Sequence, residues 1–102
     1  MDNNTDSKIL TAKEAVQRYI KPGTQVCWGG FSYTRRPFTI CREVIRQGIG
    51  EIFCTMNGGT AIEECLAAND LIKWLETTYV GLEGIQPVAN SIRRRVEDGS
   101  IE

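Results

Sequence analysis

A chain of 102 residues, 41% hydrophobic and 25% charged, has the size and composition of one small folded domain. Its 12 basic and 13 acidic residues leave a net charge of −1, which argues against a general nucleic-acid or membrane-surface role. It contains no histidine, so a Ser-His-Asp triad, a His-held zinc ion and an imidazole general base are excluded.

In chain order, the polar start MDNNTDSK, residues 1–8, reads as a disordered lead without the hydrophobic core of a signal peptide. Thr11 and Glu14 then form the capping box of a first helix, with an apolar stripe of Ala12, Ala15, Val16, Tyr19 and Ile20. Pro22-Gly23 ends it. "TQVCW" is a short apolar strand that stops at Gly29-Gly30. Pro37 suits the first turn of a second helix, with Phe38, Cys41, Val44 and Ile45 inward and Gly48 as its left-handed cap.

"EIFCTM" is the second strand, followed by Asn57-Gly58-Gly59. Thr60 and Glu63 make another capping box, on a helix whose apolar face is Ile62, Cys65 and Leu66. "IKWLETTYV", residues 72–80, is rich in β-formers and reads as a third strand ending at Gly81. Pro87 is expected to start a last helix, with Val88, Ile92 and Val96 inward and Arg93, Arg94 and Arg95 on its solvated face.

Strands alternating with helices predict an α/β fold built on a parallel sheet with right-handed crossovers. Ligands of such sheets bind beyond the carboxyl ends of the strands. Those ends carry Gly29-Gly30-Phe31, Asn57-Gly58-Gly59 and Tyr79-Val80-Gly81, all opening on one edge. Glycine there lets a ligand approach the backbone, and a following helix N-terminus favours an anion. Arg35 and Arg36 would add full charges. The competing reading is a tight turn at the first two junctions and a plain strand end at the third. The sequence carries neither G-x-G-x-x-G nor a P-loop at these places.

Cys27, Cys41, Cys54 and Cys65 form no C-x-x-C pair, so no zinc ribbon or redox pair is expected. They read as small buried hydrophobes in a reducing cytoplasm, with Cys27 and Cys54 the candidates for a catalytic thiol. Glu63 and Glu64, adjacent on a helix, point apart, and capping explains Glu63 better than a carboxylate pair does. Trp28 and Trp74 read as core. No metal site is expected.

"GTQVCWGGFSYTRRP" resembles the first signature of the family I CoA-transferases: an apolar strand, then Gly29, Gly30 and Phe31, then Pro37 six positions after the Phe. Many members carry glycine where this chain has Arg35. The basic pair before the proline resembles the alpha subunit of the glutaconate CoA-transferase type, as do "VIRQGI", "YVG" and the closing "SIRRRVEDGSIE". The resemblance implies a three-layer α/β fold and makes residues 9–102 the N-terminal part of one alpha domain, incomplete at its C-terminus.

It also implies an enzyme of alpha and beta subunits that moves coenzyme A from an acyl-CoA to a free carboxylic acid. The route is ping-pong, through a glutamyl-CoA thioester, with acyl-CoA as substrate and no bound cofactor. The nucleophilic Glu belongs to the beta subunit, so no catalytic residue is assigned here and the 102-residue chain alone is expected to be inactive. Gly29, Gly30, Phe31, Asn57, Gly58, Gly59, Tyr79 and Gly81 become candidate CoA-binding residues, with Arg35 and Arg36 as candidate anion contacts. The alternatives are a sugar-phosphate-binding, isomerase-like domain or a non-catalytic truncated fragment.

Overall fold

Local side-chain chemistry sets where two of the helices, the first and the third, begin. The computed structural model describes residues 8–30, 34–82 and 85–102. Helix α1 (Ala12–Tyr19) starts behind Thr11, whose hydroxyl accepts the Glu14 N–H at 3.1 Å while the Glu14 carboxylate accepts the Thr11 N–H at 2.9 Å. Such a box contributes about 1 kcal/mol. Helix α2 (Phe38–Gln47) has Pro37 as its N-cap and ends at Gly48 with φ +67°. The Ile49 N–H returns to the Val44 carbonyl at 3.2 Å, the expected left-handed termination.

Helix α3 (Ala61–Ala68) begins with the second capping box, in which the Glu63 carboxylate accepts the Thr60 N–H at 2.8 Å. Helix α4 (Asn90–Glu97) has no side-chain cap at Ala89. Its first turn is satisfied from another helix: the Glu64 carboxylate accepts the Ser91 N–H at 2.9 Å and the Ile92 N–H at 3.1 Å. Glu63 and Glu64 therefore do separate jobs, one on its own helix and one on the next.

Strands β1 (Gln25–Cys27), β2 (Ile52–Thr55) and β3 (Ile72–Glu76) form a parallel sheet in the order β1-β2-β3. The register sets Val26 beside Cys54 and Cys54 beside Leu75 on one face. Gln25, Phe53 and Trp74 lie on the other, where Phe53 and Trp74 rings meet at 5.8 Å. On the far side of β3, the Glu102 N–H donates to the Lys73 carbonyl at 3.0 Å and the Leu75 N–H donates to the Glu102 carbonyl at 2.9 Å.

Val16, Trp28, Cys41, Val44, Ile52, Cys54, Ile62, Leu66, Ala67, Ile72 and Ile92 belong to one continuous core. Burying each large apolar side chain contributes about 1.5–3 kcal/mol before entropy is counted.

Several expectations need correction. β3 ends at Glu76 rather than Val80, because Thr77 and Thr78 turn toward the Asn57 carbonyl, and pairing resumes only as an isolated bridge between Gly59 and Val80. α4 starts at Asn90 rather than Pro87. Residues before it are held by the Leu82–Gln86 bridge and by the Ala89 N–H on the Val80 carbonyl at 3.0 Å. Tyr19, Val88 and Val96 are exposed. The buried place at the end of α4 goes to Ile101, whose N–H bonds the Arg95 carbonyl. Cys27 and Cys65 are exposed, not buried, because β1 is an edge strand and Cys65 lies off the inward seam of α3. Trp74 is half-buried while Trp28 is core.

Candidate functional site

The parallel sheet points the carboxyl ends of its strands to one edge, and a cleft of about 370 Å³ opens there. Its walls are the first junction, Cys27 to Gly30, and the second, Met56 to Gly58 with Thr60, joined by Thr78 and Tyr79. Drug-sized ligand sites are about 300 Å³ and upward, so the space suits one end of a substrate. Trp28 forms a firm wall: it is 2% exposed, and its indole N–H points at the Cys54 sulfur at 3.4 Å.

The two glycines of the first junction differ in what demands them. Gly30 has φ +96°, and a Cβ there would collide with the Arg35 carbonyl and lie 2.8 Å from the Thr34 oxygen. The chain at 34–35 folds back onto Gly30, so only glycine fits. Gly29 has no such need: among the described residues, a Cβ there would meet nothing within 4 Å. The described residues leave room for a side chain at Gly29, at the lining of the cleft.

In the second and third junctions, Gly58 lies under the Tyr79 ring, where an added Cβ would be 3.1 Å from Cε1. Gly59 and Gly81 are set back from the cleft and buried. They carry the pairing between the two junctions: the Gly59 N–H donates to the Tyr79 carbonyl at 2.8 Å and the Gly81 N–H to the Gly59 carbonyl at 3.1 Å. A Cβ on Gly81 would collide with the Pro87 carbonyl. Phe31 lies outside the described residues. Of the candidate residues, then, Gly29, Gly30, Asn57, Gly58 and Tyr79 meet around one space, together with Cys27, Trp28, Met56, Thr60 and Thr78.

The adjacent arginines part company. Arg35 is exposed, with φ +55°, a region that glycine occupies at least cost. Arg36 is buried, and its Nη2 reaches Glu63 Oε1 at 2.9 Å and Oε2 at 3.0 Å, with both side chains fully enclosed. Burial pushes the Glu63 carboxyl above the ordinary carboxylate range, opposed by the Thr60 N–H and by Arg36. Sequence reasoning placed Glu63 in its capping box and missed this ion pair. Its signal, a basic residue before Pro37 and an acidic one inside a capping box, has no periodicity that links the two.

The thiols divide as well. Burial raises Cys41 and Cys54 to about 12, which removes both as nucleophiles near neutral pH. Cys27 alone of the four lines the cleft. Among the described residues, no cluster of His, Cys, Asp or Glu could hold a metal ion, and no helix is long and apolar enough to cross a membrane.

Known proteins share this fold and part of this sequence. The sequence profile of the coenzyme A transferase family matches residues 9–102. A glutaconate CoA-transferase subunit from Acidaminococcus fermentans is 31% identical over 97 residues, which is 93% of this chain and 30% of that protein. An uncharacterized protein of Archaeoglobus fulgidus is 33% identical over 97 residues, 93% of this chain and 21% of its own length. The chain thus spans less than a third of the curated relatives it matches. The solved glutaconate coenzyme A-transferase from Acidaminococcus fermentans has a TM-score of 0.86 at 27% identity, over 93% of this chain and 30% of that one. A variant of the decarboxylase AibA/AibB has a TM-score of 0.81 at 26% identity, over 90% and 36%. By sequence profile and by fold alike, the chain belongs to the coenzyme A transferase family.

Proposed function

We propose that this chain supplies part of the alpha subunit of a cytoplasmic CoA-transferase, which moves coenzyme A from an acyl-CoA to a free carboxylic acid. A beta subunit would supply the nucleophilic Glu. Its carboxylate attacks the thioester carbonyl, expelling CoA thiolate and leaving a mixed anhydride. The thiolate then attacks the glutamyl carbonyl, releasing the donor acid and forming the glutamyl-CoA thioester, which the acceptor acid resolves by the reverse steps. None of these steps needs an imidazole, in keeping with a chain that has no histidine.

The observation that carries this reading is the cleft at the strand ends, walled by Gly29, Gly30, Asn57, Gly58 and Tyr79. Glycine backbone on one side and an aromatic ring on the other suit the thioester end of acyl-CoA, with the nucleotide lying outside. Gly59 and Gly81 hold the second wall in place, and Arg35, exposed at the rim of the first loop, is the candidate contact for an anionic group. Arg36 is already committed to Glu63, which weakens the sugar-phosphate alternative that needed both arginines. Free thiols, two of them exposed, suit a reducing compartment.

The test uses Gly29, the glycine that the fold does not require. The protein, purified with its partner subunit, is assayed for exchange of CoA between acyl-CoAs and free acids. Gly29→Leu is expected to change stability by no more than about 0.5 kcal/mol, as surface substitutions do. It is also expected to lower the exchange rate at least tenfold, roughly the cost of displacing a reacting group by a fraction of an ångström. Full exchange by a folded Gly29→Leu complex would remove the cleft from the reaction.

A further inference from the structure

The Arg36–Glu63 pair adjoins the cleft: it contacts the second wall at Thr60 and Met56 and follows the first junction along the chain. Backbone at 34–35 folds onto Gly30, and Arg36 is the next residue along the chain. Its Nη2 contacts both Glu63 oxygens, and Glu63 Oε1 also accepts the N–H of Thr60, which lines the opposite wall. The same Nη2 lies 3.6 Å from the sulfur of Met56, another lining residue. The pair therefore ties the chain segment that backs Gly30 to the second junction.

As a source of stability the pair is poor. Both side chains are fully enclosed, and Arg36 Nε and Nη1 have no hydrogen-bond partner among the described residues. Each buried, unsatisfied donor costs free energy, and a buried ion pair is often matched or bettered by well-packed apolar residues. What the pair does supply is directional contact: hydrogen bonds from Arg36 and from the Thr60 N–H converge on the Glu63 carboxylate.

We propose that Arg36 and Glu63 are positioning residues that fix the distance between the Gly29-Gly30 wall and the Met56–Thr60 wall of the cleft. Neither touches substrate. The proposal deepens the reading of the cleft as an acyl-CoA site, but one of its tests needs no ligand.

In a background in which Trp74 and any tryptophan outside residues 1–102 are replaced by Phe, so that Trp28 is the reporter, the double variant Arg36→Met/Glu63→Met is compared with its parent. The folded double variant is expected to show clearly stronger acrylamide quenching of Trp28, because the walls no longer close on the indole. In complex with the partner subunit it is expected to raise the KM for acyl-CoA roughly tenfold, the scale of loss when a supporting shell loosens. Unchanged quenching in a folded double variant overturns the proposal. If the double variant does not fold, Arg36→Met decides the matter with the same two measurements, since Glu63 still accepts the Thr60 N–H while its tie to the first loop is gone. If no variant or parent exchanges CoA, the functional reading fails, and Trp28 quenching still decides whether the pair sets the walls.

Discussion

Gly30 and Arg35 both adopt positive φ, and substitutions at the two should behave in opposite ways. Gly30→Ala meets the Arg35 carbonyl as well as the left-handed penalty, and is expected to cost more than about 2 kcal/mol by urea denaturation. Arg35→Gly relieves its own backbone while loosening the unfolded chain, so stability should stay within about 1 kcal/mol of the parent. The thiols give a second residue-level expectation. Cys41 and Cys54 have folded values near 12 against an ordinary 9.0. Above pH 9 the unfolded state therefore gives up its protons first and binds fewer than the folded state. Stability should be unaffected at pH 7 and fall progressively between about pH 9 and pH 12. Urea titrations at pH 7 and pH 10 check this, and the alkaline loss should shrink in Cys54→Ala. The glycines of this site were legible in the sequence because strand-end glycine is a local signal. The Arg36–Glu63 pair was not, because its partners are 27 positions apart and meet only when two junctions pack. Exposure of Cys27 was hidden for a related reason: apolar neighbours in sequence do not reveal which strand is an edge.

At the scale of elements, the helix caps were readable and the pairing beyond the strand ends was not. Thr11 with Glu14 and Thr60 with Glu63 are capping boxes at the expected places because their chemistry lies within one turn. The cap of α4 comes from Glu64 on α3, which no local pattern announces. Glu64→Ala is expected to cost about 1 kcal/mol, the usual loss for a removed N-cap, seen as a lower urea midpoint with an unchanged slope. Thr77 to Val80 carry high β-propensity, yet β3 stops at Glu76. The Thr78 N–H turns to the Asn57 carbonyl, and Gly59 pairs with Val80 one step later. Tertiary partners overrode the local preference there. The same partners delay α4: Pro87 could have opened a helix, but its carbonyl lies against Gly81 and the Ala89 N–H is taken by Val80.

For the whole molecule, alternation of strands and helices was enough to predict a parallel sheet, and the cleft opens at the carboxyl ends of its strands. Right-handed crossovers leave little topological choice. The observed order β1-β2-β3 brings the first two glycine junctions face to face, with Tyr79 from the third beside them. What sequence pattern left open was the division of labour among the glycines: Gly29 faces open space, Gly30 is fixed by its own loop, and Gly59 and Gly81 serve pairing. The function proposed for the molecule stands or falls on two points: this cleft receives acyl-CoA, and the attacking carboxylate comes from the partner subunit. To test both, the complex is incubated with an acyl-CoA, treated with borohydride to reduce any glutamyl thioester, and each protein is then weighed by mass spectrometry. The expected result is loss of CoA exchange, reduction of one Glu on the partner, and an unchanged mass for this chain. A reduced Glu on this chain, or a complex that carries no thioester after acyl-CoA, would contradict the proposal.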